Sequence, residues 1–143
     1  TGVSHFSAGT NWRIVRARLD GEPEVTARLE RVARTAEALA DALRAGDLEV
    51  VGRLAGEEWR ARRELAPGIS TPEIEAILAA TAAAGAGGGK ACGAGGGGCV
   101  AVLAPAGRRT RVEAAGRGAG GAAIAARPAV RGLEVDAAGA FGG

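Results

Sequence analysis

Apolar residues recur every three or four positions through the first half of the chain, and the most regular run begins at Val25. It continues at positions 29, 32, 36, 39 and 43, while charged residues occupy the other faces. This spacing predicts an amphipathic helix with one buried stripe. Gly46 follows the last turn and is the type of residue that ends helices. A shorter helix is predicted before it, over residues 10–19.

Two further helices are predicted in the middle of the chain. One covers residues 48–65, and its apolar stripe starts at Leu48 and reaches Trp59, which we expect in the core. The other starts at Thr71, an N-cap residue. Pro72 follows at the first helical position, where its missing N–H is not needed. Alanine-rich sequence extends this helix to about residue 84.

The second half of the chain predicts strands. Residues 99–103 are apolar and rich in β-branched side chains, a turn follows, and residues 109–112 can pair back as a hairpin. Residues 113–121 predict a short, frayed helix, because each glycine there costs roughly 1 kcal/mol relative to alanine. Residues 122–126 and 132–135 predict short strands. Helices followed by strands predict an α+β fold, with helices mainly on one face of an antiparallel sheet.

A glycine-rich run, GAGGGKACGAGGGG, occupies residues 85–98, between the fourth predicted helix and the strand at 99–103. Because side chains are nearly missing, a ligand there would be bound by backbone N–H groups. Glycine also permits the positive φ angles and the close approach that an anion needs. The run therefore predicts a phosphate-binding loop that joins a helix to a strand. The alternative is a low-complexity linker, which the elements on both sides disfavour.

Neither standard nucleotide motif fits this run. The P-loop pattern G-x-x-x-x-G-K-S/T fails at both ends, at Ala84 and at Ala91. The dinucleotide pattern G-x-G-x-x-G is matched by Gly93, Gly95 and Gly98, but it requires a strand before it and a helix after it. The predicted order of elements is the reverse, so we reject both motifs.

Composition narrows the class of protein. The 143 residues suit one domain, and with 3% aromatic residues each buried side chain contributes little apolar area. The formal net charge of +2 is spread along the chain without a basic block, which argues against nucleic acid as a partner. No apolar run approaches the length of a membrane span, and no secretory signal is recognisable. We therefore expect a cytoplasmic protein without a membrane partner.

The sequence contains two cysteines, Cys92 and Cys99, and one histidine, His5. These three side chains cannot complete a four-ligand structural zinc site without carboxylates, and no metal site is predicted. A disulfide is disfavoured in a cytoplasmic protein, so free thiols are preferred. A catalytic Cys–His pair would require the fold to bring His5 close to a thiol.

Three segments resemble the C-terminal half of GHMP-superfamily small-molecule kinases, and in particular the sugar kinases related to D-glycero-D-manno-heptose 7-phosphate kinase. Residues 1–7, TGVSHFS, are similar to the strand and turn that open the family's second domain. Residues 57–72, EEWRARRELAPGISTP, are similar to a helix–turn segment of the heptose-kinase branch. Residues 90–99, KACGAGGGGC, match the family's third motif, K-x-x-G-A-G-x-G-G.

The resemblance implies that residues 1–143 form a ferredoxin-like-type GHMP kinase C-terminal domain. The implied reaction is ATP-dependent phosphorylation of a sugar phosphate hydroxyl. In the family the third motif lies beside the ATP phosphates and the substrate, and His5 and Ser7 are candidates to face the acceptor sugar. The resemblance therefore assigns a phosphate-side loop to Lys90, Gly93, Ala94, Gly95, Gly96, Gly97 and Gly98.

The sequence departs from the family in one large respect. It lacks the ATP loop, P-x-x-x-G-L-G-S-S-A, and the acidic residues for magnesium and proton transfer, all of which belong to the family's N-terminal domain. We therefore expect ATP and magnesium to act in a complete enzyme beside an N-terminal kinase domain. Neither is expected to bind this chain tightly, and no catalytic residue is assigned to it. A homodimer is left open.

Two interpretations remain for the function and for several side chains. The alternative to a kinase domain is a free-standing domain that binds a phosphorylated metabolite or a partner protein without catalysis. Lys90 either steers phosphate or is a solvated lysine at a helix end, and His5 and Ser7 either face the sugar or satisfy backbone groups in a turn. The arginines of one helix either bind a substrate phosphate or form an exposed, ion-paired face: Arg60, Arg62 and Arg63.

Overall fold

The computed structural model describes residues 1–3, 8–126 and 132, and these residues contain five helices and two strands. The helices are α1 (Ala8–Leu19), α2 (Pro23–Ala45), α3 (Leu48–Arg63), α4 (Pro72–Ala83) and α5 (Arg109–Gly118), and the strands are β1 (Gly88–Ala91) and β2 (Val100–Leu103). The four helices predicted in the first part of the chain are confirmed. None of the helices in the described residues is both long and apolar enough to cross a membrane.

The helix ends follow from local chemistry. Gly46 ends α2 in the left-handed conformation, with a φ of 73° that glycine adopts without steric cost. The Asp47 carboxylate accepts a hydrogen bond from the Val50 N–H at 3.0 Å at the start of α3. Thr71 Oγ1 accepts one from the Ile74 N–H at 3.3 Å, and the predicted N-cap of α4 is confirmed.

The main core lies where α2, α3 and α4 meet β1. Trp59, which is 3% exposed, packs in one cluster with Val25, Ile69, Ile74 and Ala91, so its predicted place in the core is confirmed. A second cluster of buried residues, Ala42, Val51 and Leu54, joins α2 to α3. The apolar stripes that predicted the helices are therefore the surfaces that these helices bury.

The sheet is an antiparallel pair in which Gly88 lies opposite Leu103 and Ala91 lies opposite Val100. β2 is confirmed as a strand, but β1 lies inside the glycine-rich run. The prediction that this run joins a helix to a strand is therefore wrong, because it contains a strand and then a loop that joins β1 to β2. Glycine is depleted in strands, so the residues of β1 do not indicate a strand.

Helix α3 and strand β1 contact each other through their backbones. A Cβ atom added to Gly52 would lie 2.7 Å from the carbonyl oxygen of Gly87, and one added to Gly88 would overlap the Gly52 carbonyl group. Such distances are too short for any side chain. The first half of the glycine run therefore permits close packing of a helix on a strand.

Residues 109–112 are helical, and the predicted hairpin with β2 is wrong. They form the first turn of α5, where Val112 is 4% exposed. Glu113 pairs with Arg109 one turn before it and with Arg117 one turn after it. This i, i+4 spacing of charges stabilises a helix and was visible in the sequence. The predicted helix over 113–121 therefore starts earlier and ends at Gly118.

The C-terminal strand predictions have different outcomes. Residues 122–126 form no strand, so that prediction is wrong. The predicted strand at 132–135 lies outside the described residues except for Gly132. The α+β class, with helices and an antiparallel sheet, is confirmed.

Two glycines of α3 test the close contact with β1. We expect Gly52→Ala to lower the free energy of unfolding by about 1–3 kcal/mol, because the added methyl group overpacks the contact with Gly87. Gly56 has nothing within 4 Å of an added Cβ atom, so Gly56→Ala should raise stability by up to about 1 kcal/mol. Urea unfolding followed by tryptophan fluorescence measures both. Equal effects of the two substitutions would contradict the packing role of Gly52.

Candidate functional site

The loop between the two strands is the candidate site. Its neck is closed by Cys92, whose N–H donates a hydrogen bond to the Cys99 carbonyl oxygen at 2.8 Å. All five glycines between the cysteines have positive φ, from 67° at Gly93 to 151° at Gly97. Side chains rarely adopt these conformations, which explains why the loop consists of glycine and one alanine. We call residues 93–98 the glycine loop.

Two backbone segments anchor the glycine loop. The Gly96 N–H donates to the Ile69 carbonyl oxygen at 2.7 Å, and the Gly98 N–H donates to the Val3 carbonyl oxygen at 2.9 Å. The hydroxyl of Thr1 donates to the Gly98 carbonyl oxygen at 2.9 Å. The loop is thus held between the α3–α4 connection and the first residues of the chain.

Four other amides of the loop have no acceptor among residues 1–3 and 8–126: those of Gly93, Ala94, Gly95 and Gly97. Gly93 and Gly95 have φ angles of 67° and 83°, while Ala94 between them has a negative one. Such alternation turns successive N–H groups toward one side and makes an anion-binding concavity. The loop can therefore offer hydrogen-bond donors to a phosphate group.

Glu75 of α4 supports the segment on which the loop is anchored. Its carboxylate accepts hydrogen bonds from Ser70 Oγ, from Trp59 Nε1 at 3.2 Å and from Arg63 Nη1 at 2.8 Å. Burial raises the pKa of Glu75, but the hydrogen bonds from Ser70, Arg63 and Trp59 and the charge of Arg63 outweigh it, so the net pKa lies below its ordinary value. Ser70 directly follows Ile69, which holds the loop.

Lys90 lies in β1 and is bound by a buried carboxylate. Its Nζ lies 2.5 Å from Oε2 of Glu58, and the Glu58 side chain is only 4% exposed. The two charged groups form an ion pair, but the angles at this contact do not meet those of a hydrogen bond. Arg62 Nε donates to the other oxygen of Glu58 at 2.5 Å. Lys90 is therefore not a solvated lysine at a helix end, and that interpretation is wrong.

The arginines of α3 differ in their surroundings. Arg62 pairs with Glu58 and Arg63 with Glu75, while Arg60 is exposed. The ion pairing predicted for Arg62 and Arg63 is therefore confirmed, but Arg62 is half-buried beside Glu58 and does not belong to an exposed face.

A cavity of about 460 Å³ lies beside β2 and borders the end of the glycine loop at Gly98 and Cys99. Helix α5 lines it with Arg109, Glu113 and Arg117. The hydrogen bond from Arg109, at 2.7 Å, lowers the pKa of Glu113. This carboxylate offsets part of the positive charge of the lining. A second cavity, of about 570 Å³, lies between α2 and the α3–α4 connection, and no residue of the glycine loop lines it.

The structure brings together some of the residues that the sequence singled out. Gly93 to Gly98 form one loop, and Lys90 lies in the strand that leads into it. His5 and Ser7 lie outside the described residues. Sequence reasoning missed Ile69, Glu75 and Glu58 as supports. The i, i+4 spacing of Glu58 and Arg62 was a signal for their pairing, whereas no pattern indicates that the Ile69 carbonyl holds a glycine.

Comparison with known proteins gives one family and one fold. The family model described as GHMP kinases C terminal matches residues 39–122. The crystal structure of L. major mevalonate kinase in complex with R-mevalonate superposes with a TM-score of 0.72 at 22% sequence identity, and at this identity the likeness concerns the fold. The match covers 82% of this chain and 36% of the mevalonate kinase chain. No curated protein matches the sequence significantly.

The hydrogen bonds to Glu75 predict a pH-dependent contribution to stability. Because the folded-state pKa lies below the unfolded one, the contribution is complete above the unfolded pKa of about 4.3 and is lost as the pH falls through the folded value. We expect Glu75→Gln to cost about 1 kcal/mol at pH 7, a value reduced by solvent screening, and less near pH 3. Urea unfolding at both pH values measures this. Glu37→Gln, at an exposed position of α2, is the control, and a Glu75→Gln cost that stays constant with pH would contradict the prediction.

Two substitutions in the glycine loop distinguish steric overlap with Ile69 from the backbone strain of a side chain at positive φ. An added Cβ atom at Gly95 would overlap the Ile69 carbonyl group, whereas at Gly93 it meets nothing within 4 Å, and both residues have positive φ. We expect Gly95→Ala to break the Gly96–Ile69 hydrogen bond and to speed hydrogen exchange of the Gly96 amide at least tenfold. Gly93→Ala should add a strain of about 1–2 kcal/mol and leave that amide protected. Equal protection in both variants would show that the anchor is misassigned.

Proposed function

We propose that this chain, which belongs to the GHMP kinase family and carries its C-terminal domain, supplies the phosphate side of the active site in an ATP-dependent small-molecule kinase. GHMP kinases are phosphotransferases. The proposal rests on the hydrogen bonding of the amides in the glycine loop. Two of these amides anchor the loop, and the other four have no acceptor among the described residues.

Phosphoryl transfer needs positioning and stabilisation of the charge that develops on the transferred group. Backbone N–H groups that are fixed before the reaction provide this without reorganisation. The anchors at Ile69 and Val3 fix the glycine loop at Gly96 and Gly98, and both positions flank amides that have no acceptor among the described residues. The role proposed for the loop is therefore to orient and stabilise phosphate oxygens.

For the substrate we propose a sugar phosphate similar to a heptose phosphate, which would place the enzyme in carbohydrate metabolism. This rests on residues 57–72, whose sequence resembles the heptose-kinase branch. In the structure this segment ends α3, carries Trp59 and Ile69, and starts α4. It therefore shapes the wall against which the glycine loop is anchored. His5 and Ser7 remain candidates for contact with the acceptor.

A complete kinase needs groups that the described part of this chain does not bring together. Residues 1–3, 8–126 and 132 contain no cluster of three acidic, cysteine or histidine side chains that could hold a metal ion. We propose that residues 1–143 act as a C-terminal domain beside an N-terminal domain that contributes the ATP loop and the metal ligands.

The activity of two forms of the protein tests this proposal. We expect the 143-residue chain alone to release no ADP from ATP, because the chain lacks the ATP loop. A protein that joins this chain to its N-terminal kinase domain should release ADP when a heptose phosphate is added. A coupled ADP assay measures both, and mevalonate is the alternative acceptor to compare.

Amide chemical shifts then report whether the loop meets the phosphates. In the two-domain protein, ADP should shift the signals of Gly93, Ala94, Gly95 and Gly97 more than those of Gly96 and Gly98, which keep their internal hydrogen bonds. Inorganic sulfate at equal concentration is the control for unspecific anion binding. Acceptor-dependent ADP release by the chain alone, or loop signals that do not respond to ADP, would overturn the proposal.

A further inference from the structure

The two cysteines of the chain lie directly opposite each other across the neck of the glycine loop. The register of the sheet pairs Ala91 with Val100, and the next pair outward is Cys92 with Cys99, joined by a 2.8 Å hydrogen bond from the Cys92 N–H to the Cys99 carbonyl oxygen. Opposite residues of a hydrogen-bonded antiparallel pair have Cα atoms about 5.5 Å apart. Disulfides bridge Cα atoms separated by roughly 4.4–6.8 Å. The Cα separation typical of such a pair therefore falls within the range that a disulfide spans.

The side chains of this pair are accessible. Both cysteines are free and exposed. Their neighbours Ala91 and Val100 belong to the core or pack against it, and successive side chains of a strand point to opposite faces. The cysteines therefore share the face opposite to the one that packs in the core. There, a small molecule from solvent can reach both sulfur atoms.

We infer that Cys92 and Cys99 are a redox modification site, and that a small-molecule disulfide such as oxidised glutathione converts them to a reversible disulfide across the neck of the glycine loop. One thiol loses its proton, and its sulfur attacks a sulfur of oxidised glutathione, which breaks that S–S bond and releases one glutathione thiolate. The second cysteine thiolate then attacks the protein sulfur of the mixed disulfide and releases the second glutathione. Two protein thiols are oxidised and one glutathione disulfide is reduced.

The bridge would act on the loop that it closes. The six residues between the cysteines include five glycines with positive φ, and the loop is otherwise fixed by backbone hydrogen bonds at Gly96 and Gly98. A covalent neck removes the remaining freedom at Gly93 and Ala94, which follow Cys92 directly. Resting on the proposed function, we expect the bridge to hold the Gly93 and Ala94 N–H groups in directions set by the disulfide rather than by the phosphate oxygens. Kinase activity should therefore fall several-fold.

The mass of a tryptic peptide shows whether the disulfide between Cys92 and Cys99 has formed, independently of kinase activity. Trypsin cuts after Lys90 and after Arg108, so a single peptide, 91–108, contains both cysteines. The two-domain protein is incubated with mixtures of oxidised and reduced glutathione, alkylated and digested. We expect peptide 91–108 to lose two hydrogen atoms and to take up no alkyl group, and dithiothreitol should reverse this. Peptides with two alkyl groups or two glutathione adducts under excess oxidised glutathione would overturn the inference.

Single substitutions provide the matched controls. Cys92→Ser and Cys99→Ser retain the polar, small side chain at an exposed position, and each leaves one thiol that can carry glutathione but cannot close the bridge. Oxidised glutathione should lower kinase activity in the parent protein and not in either variant, and dithiothreitol should restore it. Equal inhibition of the variants would overturn the regulatory role. If the bridge forms but neither redox state phosphorylates an acceptor, the proposed function fails while the modification site stands.

Discussion

The close contact between the backbones of α3 and β1 is the constraint on which the rest of the structure depends. A Cβ atom added to Gly52 would lie 2.7 Å from the Gly87 carbonyl oxygen, and one added to Gly88 would overlap the Gly52 carbonyl group, so neither position accommodates a side chain without displacement. Protein interiors are packed too densely to absorb even one added methylene group. The helix therefore fixes the position of β1, and the register of the sheet then fixes β2 and the neck at Cys92 and Cys99.

A second set of contacts connects the core to the glycine loop. Trp59 is buried, yet its Nε1 donates to Glu75, and Glu75 also binds Ser70 beside the Ile69 carbonyl that accepts the Gly96 N–H. The side-chain contacts of α3 with Glu75 of α4 thus determine where a loop without side chains comes to rest. A flexible segment becomes a defined surface because its supports are rigid, which is the condition for preorganised binding.

The charge on Lys90 illustrates how position alters the role of a motif residue. Glu58 is 3% exposed, and an unpaired carboxylate at such a site would be very unfavourable, so Lys90 and Arg62 together compensate it. The lysine thereby joins β1 to α3 and stands at the base of the loop. Within the described part of the chain, the backbone amides of residues 93, 94, 95 and 97 remain as donors, which is the basis of the phosphate role proposed above.

The sequence by itself determined the helices, the strand β2 and the family resemblance, because periodicity, caps and the motif at residues 90–99 are local properties. It did not reveal β1, since glycine carries no strand signal, and it misplaced residues 109–112, whose charge spacing favours a helix. The tertiary structure alone decided that Gly52 meets Gly87, that Glu58 holds Lys90 and that Ile69 anchors Gly96. These contacts join residues far apart in the chain through backbone atoms and buried charges, for which no local pattern exists.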